Sequence, residues 1–161
     1  MIGMRRVTAR VDADSRVGLG HFRRAGTLLE ELARRGCSVG FVGRIEDGIA
    51  DRATIEVVRL PALGSARFDQ VRDAEDSLAA IEPPGDGGSW IVLDHYGLDE
   101  PWERKVAEAG HRILALDDLR DRAHCAEILV SDTPERFASE LDLFPGGALQ
   151  LVGEPYVLLG P

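Results

Sequence analysis

The spacing of apolar positions along this chain switches repeatedly between the two-residue period of a strand and the longer period of a helix. From Arg5 to Val11, the apolar Val7, Ala9 and Val11 alternate with polar side chains, which predicts a first strand. A turn over Asp12 to Gly20 follows. Phe22, Ala25, Leu28, Leu29, Leu32 and Ala33 then recur at three- and four-residue steps and form one apolar face of a helix ending at Gly36. Ser38–Val42 reads as a second strand and Ile55–Leu60 as a third, with room for a short helix between Gly43 and Thr54. Phe68–Ile81 is charged and reads as a surface helix.

The second half continues the alternation. Trp90–Leu93 reads as a strand, Glu100–Ala109 as a helix, and Arg112–Leu116 and Ile128–Ser131 as strands. A shorter helical piece near Pro134–Leu141 and a strand over Leu149–Val152 close the pattern. Pro83-Pro84-Gly85-Asp86-Gly87-Gly88 is the clearest breaker cluster, and it fits a loop between helix and strand better than a domain linker. Strands that alternate with helices, some apolar on both faces, predict an α/β, Rossmann-like fold. It has a mainly parallel sheet of about six or seven strands with helices on both faces, in one domain over residues 1–161.

Composition narrows the functional classes. The 161 residues carry a formal charge of −9, which argues against general affinity for nucleic acid or an anionic membrane. Backbone amides can still supply a local anion site. Cys37 and Cys125 fit no metal-ligand spacing and read as free thiols of a reducing cytoplasm. No stretch approaches the roughly 18 apolar residues of a membrane span, so a soluble, cytoplasmic protein is expected. The apolar ending Tyr156-Val157-Leu158-Leu159-Gly160-Pro161 has the look of a sequence cut at a domain junction.

Three clusters carry candidate chemistry. In Asp12-Ala13-Asp14-Ser15-Arg16-Val17-Gly18-Leu19-Gly20-His21, two glycines between a strand and a helix allow backbone amides to approach a ligand. The helix N-terminus adds free N–H groups and partial positive charge. The third glycine of the dinucleotide fingerprint and the Gly-Lys-Ser/Thr of a P-loop are both missing. A tight turn with a capping histidine is the bland alternative. Asp94-His95-Tyr96-Gly97 and Asp117-Asp118-Leu119 each follow a strand directly, where ligands of parallel sheets gather. The paired aspartates suit a metal, sugar hydroxyls or the capping of the next turn, and no magnesium-partner motif accompanies them. His111 and His124 have no such placement, and Trp102 reads as packing.

Taken in order, Arg10-x-Asp12-Ala13, Gly18-x-Gly20-His21-x-x-Arg24, Leu93-Asp94-His95-Tyr96-Gly97-Leu98-Asp99, Trp102-Glu103, Asp117-Asp118-Leu119 and Tyr156-x-Leu158-Leu159 resemble a known family. It is the UDP-sugar hydrolase of pseudaminic acid biosynthesis, with its spore-coat polysaccharide relatives. The resemblance implies the N-terminal domain of a GT-B fold. It also implies release of UDP from UDP-2,4-diacetamido-2,4,6-trideoxy-β-L-altropyranose by water attack at the anomeric carbon, with no metal and no cofactor. His21 matches the histidine that handles the water, Tyr96 the tyrosine of the sugar pocket, and Gly18 and Gly20 the loop facing the phosphates. Asp12, Arg24, Asp94, His95, Asp117 and Asp118 complete the expected substrate-binding set. Relatives are about twice as long, so the resemblance also implies a nucleotide-binding C-terminal domain, or a partner chain supplying it, outside this sequence. A non-catalytic binding or assembly module of the same ancestry, or half of a GT-B glycosyltransferase, is the alternative.

Overall fold

A computed structural model describes residues 5–64, 67–86, 88–132 and 148–158. The strands are β1 (Arg6–Arg10), β2 (Ser38–Gly43), β3 (Val57–Arg59), β4 (Ser89–Leu93), β5 (Arg112–Leu116), β6 (Ile128–Ser131) and β7 (Leu149–Val152). The helices are α1 (Gly20–Arg34), α2 (Asp47–Ala50), α3 (Gln70–Ala80) and α4 (Glu100–Glu108), and a 3₁₀ turn covers Glu154–Tyr156. All seven strands lie parallel in one sheet, ordered β3-β2-β1-β4-β5-β6-β7. The fold is therefore α/β and Rossmann-like. Strand order reverses between β1 and β4, and in such sheets the crevice at that reversal, beyond the carboxyl ends, is where ligands bind.

Apolar side chains on alternate strand positions bury two separate layers. Val92 packs with Val7, Ala9, Val11, Ala25, Leu29 and Phe41 on the α1 face. Its neighbours Ile91 and Leu93 point the other way, into a layer with Leu98, Trp102, Val106 and Ile113. Because both faces are covered, the polar positions Thr8 and Arg10 in the middle and at the end of β1 do not reach water. Thr8 and Arg10 are buried on the face opposite Val7 and Ala9, and Arg10 is fully inaccessible. The fully buried guanidinium donates through Nε and Nη2 to Asp73 of α3 at 3.0 and 2.7 Å, and through Nη1 to Asp12. Trp102 is packed in the core with its indole N–H donating to Asp73 at 3.0 Å, and Arg44 completes the cluster.

This cluster corrects the reading of Phe68–Ile81 as a surface helix. The helix is Gln70–Ala80, and Asp73, Ala74 and Ser77 form a buried face. Its ion pairs with β1 are what make a charged segment interior. The third strand is also shorter than Ile55–Leu60, because as the edge strand it pairs with β2 only over Val57–Arg59. The short helix expected between Gly43 and Thr54 is α2. Residues 83–86 and Gly88 lie between α3 and β4, as a loop there requires. The helical piece expected at Pro134–Leu141 lies outside the described residues. At Gly43 a Cβ would stand 1.6 Å from the Val11 carbonyl oxygen, so only glycine allows β2 to run against the exit of β1. That contact sets the position of the loop leading to α1.

Candidate functional site

The loop between β1 and α1 is folded by its own aspartate. Asp14 Oδ1 accepts from the amides of Arg16 and Val17 at 2.7 Å each, and the Gly18 amide donates to the Asp14 carbonyl at 2.9 Å. Gly18 then turns the chain with φ +85°, a conformation that disfavours any side chain. Helix α1 begins two residues later. Its N-cap residue, Leu19, makes no side-chain capping bond, and its first turn contains no acid. A Cβ at Gly18 or Gly20 would meet nothing within 4 Å. Two glycines with open space at their Cβ positions thus lead into a helix start that its N-cap side chain leaves uncapped.

His21, in the first turn of α1, is buried, and its ring bonds to Asp94. Its Nδ1 meets Asp94 Oδ1 at 2.6 Å, just past the end of β4. A carboxylate only accepts, so Nδ1 carries the proton in this bond and Nε2 is left for the cleft. The Tyr96 ring stands edge-on to the imidazole, 4.4 Å between centroids. Arg24, one helical turn further along α1, donates to both Asp94 oxygens, through Nε at 3.0 Å and Nη2 at 2.7 Å. Its remaining nitrogen, Nη1, donates to Asp118 beyond β5. Burial works against the Arg24 charge, but these two carboxylates more than offset it and raise its pKa.

Val17, Gly20, His21, Arg24, Tyr96 and Asp118 line an open cleft of about 320 Å³ at the carboxyl edge of the sheet. Arg24 and Asp118 also line a hollow of about 150 Å³ that extends toward Asp132, Tyr156, Val157 and Leu158. Asp132 is held above the ordinary carboxylate range, first by burial and then by the Asp118 charge. The structure thus brings together Gly18, Gly20, His21, Arg24, Asp94, Tyr96 and Asp118 from three strand ends.

Asp12, His95 and Asp117 have other positions. Asp12 accepts from Arg10, from the Arg44 amide at 2.8 Å and from His95 Nε2 at 3.1 Å. Burial opposes its charge, yet the His95 bond and Arg10 hold its carboxyl well below the usual range. His95 Nδ1 accepts from the Gly97 amide at 3.0 Å, and its ring stacks on Phe68. Both residues make bonds that shape the loops beside the cleft. Asp117 is fully buried and accepts from the amides of Leu119 and Arg120, both at 3.1 Å. Of the roles open to the aspartate pair, Asp117 takes turn capping. Among the described residues, no group of three or more His, Cys, Asp or Glu is arranged to hold a metal.

A buried assembly that the sequence did not point to supports this edge. His124 lies between Glu103 of α4, facing Nδ1, and Asp117, 3.1 Å from Nε2. Both ring nitrogens face carboxylates, so both must donate and the ring is an imidazolium. Burial pulls its pKa down, but Asp117 and Glu103 outweigh burial and push it up to about 9. Arg122 also donates to Asp117 at 2.7 Å, and to the Tyr96 carbonyl at 3.1 Å, which fixes the Tyr96 loop. No local pattern announces these partners, since their contacts form only when α4 and the β5–β6 loop pack together.

The raised value has a definite sign in stability. The folded pKa of about 9 exceeds the ordinary 6.5, so the His124 contribution is complete below 6.5 and disappears as pH rises through 9. His124→Gln is expected to cost on the order of 3 kcal/mol near pH 6 and much less near pH 10, read from urea midpoints at both pH values. A cost independent of pH would show that the ring is held neutral.

Fold and cleft together define a Rossmann-like α/β protein with a candidate ligand site at the strand-order reversal between β1 and β4. No protein-family model matches the chain, and no curated protein matches its sequence. No helix among the described residues is long and apolar enough to cross a membrane.

Proposed function

We propose that this chain is the sugar-side half of a nucleotide-sugar hydrolase, similar to the N-terminal domain of a GT-B protein, that releases UDP from a UDP-linked diacetamido-trideoxy sugar. The observation that carries this reading is His21 at the open start of α1, with Nδ1 engaged by Asp94 and Nε2 left for the cleft. A histidine in that tautomer accepts a proton on Nε2. Water attacks the anomeric carbon and gives its proton to Nε2, while the bond from that carbon to the diphosphate oxygen breaks and its electrons leave with UDP. The uncapped α1 turn over Gly18 and Gly20 offers amides to the departing diphosphate, and Tyr96 offers an edge to the sugar. This provides a local anion site on a chain whose net charge is −9.

The surface around the cleft supports a half-site. Val17, Leu19, Tyr96, Leu119, Tyr156 and Val157 all follow strand ends and are exposed apolar side chains; Val17 and Tyr96 line the cleft, and Tyr156 and Val157 line the adjoining hollow. A second, nucleotide-binding domain or chain seated there would bury them and supply the uracil contacts. The test follows UDP release from the UDP-sugar in water, with a chelator present and with that second half supplied. UDP release without a hydroxyl acceptor is expected, whereas release that requires an acceptor would make the protein a transferase. By calorimetry the present chain alone is expected to bind UDP weakly, and tight uracil-dependent binding would contradict the half-site.

A further inference from the structure

We infer that Arg24 is a positioning residue for His21: by clamping Asp94 it both orients that carboxylate and balances its charge, with Nε2 of the imidazole left for the cleft. This rests on the hydrolase reading for its catalytic meaning, but its physical content does not. Asp94 is buried, and its two oxygens receive three donors, two of them from Arg24. One guanidinium edge spans both carboxylate oxygens in the bidentate geometry that fixes a plane as well as a distance. The Oδ1 that meets His21 is therefore held in place by Arg24, and Arg24 is itself held from the far side by Asp118.

The same molecule contains the contrasting case. His124 faces two carboxylates, and it is held as an imidazolium. His21 faces one carboxylate, and that carboxylate carries a bidentate arginine. The groups around His21 are Asp94 beyond β4, Tyr96 in the following loop, Arg24 on its own helix, and Asp118 across the cleft, itself paired with Arg24 and influenced by Asp132. Arg122 stands behind Tyr96, 5.8 Å from its ring centroid. Removing the Arg24 charge leaves a bare buried carboxylate against the imidazole and favours the protonated ring.

The experiment is nitrogen NMR of the His21 ring in the wild-type chain, Arg24→Met, Arg24→Gln and Arg24→Lys. The wild-type ring is expected to show a proton on Nδ1 and a bare Nε2 once deprotonated. Arg24→Met and Arg24→Gln are expected to raise the pH midpoint of the ring by about one unit or more, a tenfold gain of imidazolium at a given pH. Arg24→Lys, which keeps the charge but not the fork, is expected to fall between. In the UDP-release assay the acid limb of kcat should move by the same amount. An unmoved or lowered midpoint in a folded Arg24→Met or Arg24→Gln chain overturns the inference. Loss of fold in both assigns Arg24 to the scaffold and overturns it equally. A moved midpoint in a protein that never releases UDP would defeat the hydrolase reading and leave the positioning role standing. Activity with an unmoved midpoint would do the reverse.

Discussion

Replacing His21 by Ala or Asn is expected to lower UDP release by about 10²–10⁴-fold, the usual contribution of a positioned acid or base, while leaving the protein folded. The fold should survive because Asp94 keeps its two hydrogen bonds from Arg24 after the imidazole is gone. No buried carboxylate is left bare, so the stability cost should stay near 1 kcal/mol, the value of one ordinary hydrogen bond. The two readouts move independently for a physical reason. A purely structural histidine changes the unfolding midpoint and leaves turnover per folded molecule alone, whereas a base changes turnover and barely moves the midpoint. Urea unfolding and UDP release measured on the same preparation decide between them. Near wild-type turnover in a folded His21→Ala protein would remove His21 from the mechanism.

The largest stability effect is expected at Asp73. Its carboxylate accepts from Arg10 twice, from Arg44, from the Trp102 indole and from Ser77, all within the α3/α4 side of the core. Burial alone would raise its pKa, but Arg10 and then Arg44 hold it below the ordinary value. Asp73→Ala takes away the main partner of a guanidinium with no solvent access and leaves the indole N–H without its acceptor. The expected loss is about 3–5 kcal/mol, the range for breaking one side of a buried ion pair. Combining it with Arg10→Met should recover much of that loss, because apolar groups of similar volume tolerate burial where a lone charge does not. Urea midpoints for the two single variants and the double variant form the cycle that tests this. A loss under about 1 kcal/mol for Asp73→Ala would mean that water reaches the cluster.

These two residues mark the division between what is legible along the chain and what is not. His21, Asp94 and Tyr96 could be placed at one edge because each directly follows a predicted turn or strand end. In a parallel sheet all such ends point the same way, so local pattern and one topological rule suffice. The alternation of strands and helices was legible for a similar reason, since Val7-x-Ala9-x-Val11 and Leu28-Leu29-x-x-Leu32 encode their periods within a few residues.

Among the described residues, the sequence by itself determined which segments become strands and helices, that the sheet is parallel, and which strand ends carry polar side chains. Tertiary structure decided the partner of each charge. Arg10 and Asp73 are 63 positions apart, and Glu103 and His124 are 21 apart on different elements. Such pairs exist because packing on both faces removes water from Arg10 and Glu103, and a charge stranded there must find its opposite. The same packing engaged Asp12, His95 and Asp117 in supporting bonds, and placed Arg24 across Asp94 and Asp118. Periodicity records how much of each face is apolar. It carries no information about which buried polar groups meet, because that depends on distances set only when distant segments pack together.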